Sequence, residues 1–190
     1  TDFPCMSGSR VGQGRVYVQL GQLRSLDFND WCQGLAAGRS YVSDGFAHAL
    51  EFHVNDIQPG SGKVKLSGPG TVSISSLVAF APETPRTVAQ GQIHPQGGAR
   101  FVGDTVTFHG PPPTRTVTVG TRKIEIIVNG LPVATQEVPA DGQQHRLKFE
   151  IPIDQSSWVA LRHFPQLHTN PVDVIVDNQP IRVSSKSARW

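Results

Sequence analysis

Residues 121–138 read TRKIEIIVNGLPVATQEV. Residues 114–128 hold two stretches that alternate with the two-residue period of a β-strand, and Gly120 marks a bulge or bend between them. Asn129-Gly130 is the residue pair that best tolerates positive φ at both central positions of a two-residue hairpin turn, so 131–138 reads as the returning strand. Asp141-Gly142 turns the chain again into 145–153, where Leu147, Phe149 and Ile151 alternate with Arg146, Lys148 and Glu150. Residues 158–162 form the next strand. Residues 172–176 and 181–183 follow, with Asp177-Asn178 turning between them.

The same reading extends towards the N-terminus. In 15–20, Val16, Val18 and Leu20 alternate with Arg15, Tyr17 and Gln19, which predicts a half-buried strand. Asp27 stands at a helix N-cap with Asp30 in the first turn, and Phe28, Trp31, Cys32, Leu35 and Ala36 form one apolar stripe before the stop at Gly38, predicting a helix over 28–37. Residues 39–43 are short and β-like, and Asp44-Gly45 is a turn. Leu50, Phe52 and Val54 then alternate with Glu51 and His53. Residues 63–67 and 71–81 are further strands, the latter with Val72, Ile74 and Ser76 on one face, and Pro82 ends it. Short strands at this spacing predict a mainly β chain: one or two immunoglobulin-like antiparallel β-sandwiches with a single short α-helix near the N-terminus. The division expected is 1–81, a Pro/Gly-rich excursion or linker at 82–113 with only a brief strand candidate at 106–108, and a β unit at 114–190. The alternative is one continuous domain.

Composition narrows the class. Of 190 residues, 37% are hydrophobic and 17% charged, with 19 Gly and 15 Pro, a turn-rich β balance that argues against a helical bundle, a coiled coil or a disordered chain. The longest apolar run, 77–81, is far short of the roughly 20 residues of a membrane helix. Seventeen Lys and Arg against 15 Asp and Glu leave a scattered net charge of +2, not the clustered basic face that nucleic acid requires. Cys5 and Cys32 can pair only if the fold brings their Cα atoms within about 7 Å. The stripe puts Cys32 on a buried helix face, which favours free thiols.

The seven histidines, His48, His53, His94, His109, His145, His163 and His168, make no recognised metal-binding spacing. Arg162, His163, His168, Thr169 and Asn170 form the densest polar cluster, on a loop where binding residues are often found. Either they contact a ligand, or His168 and Asn170 hold the proline-bearing loop of 165–171 by hydrogen bonds to its backbone. Ser156-Ser157 and Ser184-Ser185 lack a nucleophile elbow, and Gly12 and Gly14 precede a strand where a phosphate loop needs a helix. Asp27 and Asp30 read as helix-cap groups, Glu51 and His53 as solvent-face groups. Trp31, Tyr41 and Trp158 would form a sugar platform if exposed, although their apolar phasing predicts burial.

Two stretches taken together, 31–45 (WCQGLAAGRSYVSDG) running on to Phe52-His53-Val54-Asn55, and 156–162 (SSWVALR) with 168–172 (HTNPV), resemble the C-terminal region of CehA/McbA-type metallohydrolases, a branch of the polymerase-and-histidinol-phosphatase (PHP) superfamily. The resemblance implies that 1–81 begins at the tail of a catalytic-domain junction and that a β-sandwich follows. It implies a multinuclear site of His, Asp and Glu in which metal-bound water attacks an ester or phosphoester. This chain matches that site only at Asp2, in Thr1-Asp2-Phe3-Pro4, where the family's usual His falls at Pro4. A lone carboxylate holds no metal, so the resemblance implies a non-catalytic accessory domain without a cofactor of its own. The divalent metal (Zn, Mn or Fe) would lie in an upstream catalytic domain of a larger exported hydrolase, periplasmic or extracellular. The residues expected to bind or contact that domain are Arg39, Ser43 and Asp44, in a 39–45 segment shaping the active-site mouth, and Arg162, His163, His168, Thr169 and Asn170. The competing expectation is a carbohydrate- or ligand-binding sandwich.

Overall fold

The computed structural model describes residues 14–21, 25–85, 99–102, 105–108, 116–117 and 120–182. Asp2, Cys5, His94, His109, Ser184 and Ser185 lie outside these, as does most of 82–113. The elements are β1 (Arg15–Val18), α1 (Phe28–Ala36), β2 (Ser40–Ser43), β3 (Ala47–Val54), β4 (Val64–Leu66), β5 (Gly70–Phe80), β6 (Thr84–Pro85), β7 (Ala99–Val102), β8 (Thr105–Phe108), β9 (Thr116–Val117), β10 (Thr121–Val128), β11 (Leu131–Pro139), β12 (Gln144–Ile153), β13 (Ser157–His163), β14 (Leu167–Thr169) and β15 (Val172–Val176). Ile181 and Arg182 are not strand, so the last predicted strand does not form there.

Two sheets make a sandwich. The first runs β12-β5-β3; the second runs β11-β10-β13, and the far edge of β13 pairs with β14 at one end and β15 at the other. β14 and β15 are thus one strand interrupted at Asn170-Pro171, where proline has no N–H to give the ladder. β2 and then β1 extend the sheet beyond β14, while β4 lies parallel to β15. Every other pairing among the described strands is antiparallel. A first strand divided between the sheets as β3 and β4, followed by β5, β10, β11, β12, β13 and β14/β15, gives the strand order of an immunoglobulin-like sandwich. β5 pairs with β12 from Gln144 opposite Ala79 to Ile153 opposite Gly70, so the segments on either side of 82–113 share one sandwich. Thr84–Pro85 pairs with Thr116–Val117, and β7 pairs with β8.

Alternation fills the core. Val72, Ile74 and Phe80 of β5, Leu147 and Ile151 of β12, Ile124 and Ile126 of β10, and Val159 and Leu161 of β13 all belong to one buried cluster. Each burial of this kind contributes roughly 1.5–3 kcal/mol relative to exposure. Three expected phases are corrected. On β3 a bulge between Ala49 and Glu51 makes Leu50 the extra residue, so Ala47, Ala49, Phe52 and Val54 face inward while Leu50 is 45% exposed. Val16 is 44% exposed because β1 is an edge strand paired only with β2. The apolar stripe of α1 does not become its buried face: Gly34 is the buried residue, Phe28 is 78% exposed and Leu35 is also exposed. The helix approaches β1 so closely that a Cβ on Gly34 would lie 2.5 Å from Val18 Cγ1. Cys32, expected on a buried face, is a half-buried free thiol. No helix among the described residues is long and apolar enough to cross a membrane.

Candidate functional site at the loop pole

The ends of β2, β5, β11 and β13 meet the start of β10 at one pole of the sandwich, where Ala140 N donates to Gly120 O and Gly142 N to Phe80 O, both at 2.9 Å. The polar residues here come from segments far apart in the chain. Asp44 leaves β2 buried, with Oδ1 accepting from Phe46 N at 2.9 Å and Oδ2 from Gln166 Nε2 at 3.1 Å. Asp44 N also donates to Gln166 O at 3.1 Å, so two straps join the β2–β3 turn to the β13–β14 turn. Gln166 Oε1 lies 3.1 Å from His163 Nε2, and His163 Nδ1 lies 2.8 Å from the Lys123 carbonyl. The imidazole meets Phe80 edge to face, with ring centroids 5.2 Å apart. Burial holds His163 below its ordinary value, and nearby Arg122 acts the same way; the hydrogen bonds to Lys123 and Gln166 and the charge of Asp44 oppose this.

Alternation divides the cluster that is contiguous in sequence. His163 and Thr169 are buried, and Thr169 Oγ1 accepts from Leu161 N at 3.0 Å. Their neighbours Arg162 and His168, which are cross-strand partners, point to the opposite face of the sheet. There Arg162 closes on buried Glu125, with Nε and Nη2 at 2.8 and 2.7 Å from Oε2, while Lys123 Nζ reaches Oε1 at 3.1 Å. Burial pushes the Glu125 carboxyl up, but the hydrogen bonds and charges of Arg162 and Lys123 outweigh it, leaving the value lowered. His168 Nδ1 donates to the Thr169 carbonyl at 2.7 Å. Asn170 Nδ2 donates to Gly38 O and Ser40 Oγ, each at 3.0 Å, so its amide fastens the β14–β15 break to the C-terminal side of α1.

Ser43 Oγ donates to the Ala47 carbonyl and accepts from Gly45 N, and so shapes the turn beside Asp44. The backbone of Arg39 links α1 to the segment after β1, donating to Gly34 O and accepting from Gln19 N. Sequence reading does not bring Tyr17, Tyr41 and His48 together: Tyr17 stacks on Tyr41 with centroids 5.0 Å apart, and the Tyr41 hydroxyl hydrogen-bonds His48 Nδ1 at 2.9 Å. Burial, with Tyr17 adding to it, pushes the Tyr41 phenol up to about 12. Sequence reading misses Gln166, which carries no distinguishing signal. Arg122 and Glu125 do carry one, as charges set among the isoleucines of β10. Trp31, Tyr41 and Trp158 are half-buried and form no exposed row with one another.

Chemically, the Asp44, Gln166 and His163 side chains at the pole are engaged with one another or with backbone. The hydroxyls of Ser43, Ser156 and Ser157 each donate to a backbone carbonyl, so none is engaged by a general base. Among the described residues no three His, Cys, Asp or Glu side chains converge to hold a metal ion. Comparison of the chain with protein-family models and with curated proteins finds no match.

Proposed function

We propose that the chain is a non-catalytic accessory β-sandwich domain of a larger exported PHP-like metal-dependent hydrolase, packing on the catalytic barrel. The observation that carries this reading is an apolar surface the sandwich does not use. Leu26 is 89% and Phe28 78% exposed, Leu35 is exposed, and the cross-strand partners Val16 and Val42 are exposed on β1 and β2. Scattered exposed apolar residues are ordinary, but a helix that leaves Phe28 and Leu35 exposed and Trp31 and Cys32 only half-buried suits a face that a further domain covers. In this reading the divalent metal, zinc, manganese or iron, is held upstream, and this chain contributes a wall. The segment around Asp44, fixed by its straps to Gln166, offers a rigid rim to such a barrel.

The test is metal content by mass spectrometry on chelator-free protein, with the longer gene product and its separately expressed upstream region run beside the 190-residue chain. Stoichiometric metal is expected only where the upstream region is present, and the two pieces should co-elute when mixed. Stoichiometric metal in the 190-residue chain, or ester hydrolysis by it, would overturn the reading. Saturable binding of an oligosaccharide without any association with the upstream region would favour the carbohydrate-binding alternative, for which the stacked pair Phe28 and Trp31, with centroids 6.0 Å apart, offers an aromatic surface.

A further inference from the structure

Arg122 is 4% exposed, lies opposite Val138 of β11, and shares the inward phase of Ile124 and Ile126 on β10. Its Nη1 donates to the Thr121 carbonyl at 3.0 Å, whereas Nε and Nη2 are buried without an acceptor among the described residues. Those two nitrogens form one edge of the guanidinium, the edge that takes a carboxylate or phosphate side-on through two N–H groups. Arg162 shows the same edge in use, with both nitrogens on Glu125 Oε2. Nothing equivalent among the described residues serves Arg122. Glu125 has the opposite parity on β10 and is taken by Arg162 and Lys123, and the two carboxylate oxygens of Asp44 are held by Phe46 N and Gln166 Nε2.

A buried cation without a partner is a strongly unfavourable arrangement, whereas an apolar side chain at this position would simply continue the core. Gly120 flanks the guanidinium with no side chain of its own; a Cβ there would lie 3.7 Å from Arg122 Nη1. His163, close enough to feel the charge of Arg122, turns its two ring nitrogens to the Lys123 carbonyl and to Gln166 Oε1. We propose that Arg122 is the anchor of an oxyanion-binding site at the loop pole, taking a phosphate- or carboxylate-type group on Nε and Nη2. The inference does not depend on the accessory-domain reading.

The test is isothermal titration of the chain with sodium phosphate and, in a separate arm, sodium acetate, each at ionic strength matched with chloride; the arms distinguish a tetrahedral from a planar anion. One saturable site is expected for at least one of the two. Arg122→Lys, which keeps the charge but lacks the two-nitrogen edge, should weaken it at least about tenfold. Arg122→Met should abolish it, and if that variant fails to fold, the lysine variant carries the test. Absence of saturable binding in both arms, a response that chloride reproduces, or equal affinity in wild type and Arg122→Lys would each overturn the proposal.

Discussion

At His163 both ring nitrogens face oxygen, the Lys123 carbonyl on one side and Gln166 Oε1 on the other, inside a setting that burial makes hostile to an added charge. A folded-state value below the unfolded one means that the unfolded chain binds the proton more readily. The associated stability is therefore complete above the unfolded histidine value of about 6.5 and is lost as the pH falls from there through the lowered folded value. The groups facing His163 are Lys123, Gln166, Arg122 and Asp44. His48, lowered chiefly by burial, acts with the same sign. Glu125, also lowered, loses its contribution only at more acid pH, below the ordinary carboxylate range. The expected outcome is a urea midpoint that declines between about pH 7 and pH 5, with a shallower decline in His163→Gln; parallel slopes for the two proteins would refute the assignment. Asn170→Ala removes two side-chain hydrogen bonds and should cost about 1–2 kcal/mol in urea unfolding. A purely ligand-binding Asn170 would leave stability unchanged.

Elements respond to sequence most faithfully where a local rule is strict. Asn129 and Gly130 have φ of 51° and 90°, so the hairpin read from this dipeptide forms as the turn chemistry requires. Asp27 caps α1 by accepting from Asn29 N at 2.8 Å, again as the sequence indicates. The phase of β3 was not legible, because the bulge at Leu50 depends on pairing with β5 and leaves no mark in the alternation itself. The docking of α1 is not legible for a related reason: a small residue, Gly34, permits the approach to β1, while Phe28 and Leu35 of the apolar stripe stay exposed. The loop after β3 meets the C-terminal end of α1 at Gly60, which has φ of 73° and whose Cβ, if present, would stand 2.2 Å from the Ala37 carbonyl oxygen. Gly60→Ala combines left-handed strain with a backbone collision and should destabilise the fold by roughly 2–4 kcal/mol, read from the urea midpoint. A loss below about 0.5 kcal/mol would show that this contact yields freely.

For the whole molecule, the apolar surface at α1 separates folding from association. Replacing both Leu26 and Phe28 by Asp should change the chain's own stability by no more than about 0.5 kcal/mol per site, since these side chains are 89% and 78% exposed. The same pair should weaken co-elution with the upstream region at least about tenfold, a loss of about 1.4 kcal/mol. A large drop in stability would mean that this surface serves the sandwich after all. The sequence by itself determined the β class, the helix α1, the Asn129-Gly130 hairpin and the alternating core of β5, β10 and β12, because turn geometry and residue periodicity are local constraints written in neighbouring residues. Only the tertiary structure decided that strands from both sides of 82–113 interleave, that Asp44 meets Gln166 across 122 positions of chain, and that Arg162 and His163 serve opposite faces. It alone showed that the side-on edge of Arg122 has no acceptor among the described residues. Those outcomes depend on which strands become neighbours, and pairing partners are selected by the closure of the whole sandwich, not by any residue's immediate surroundings.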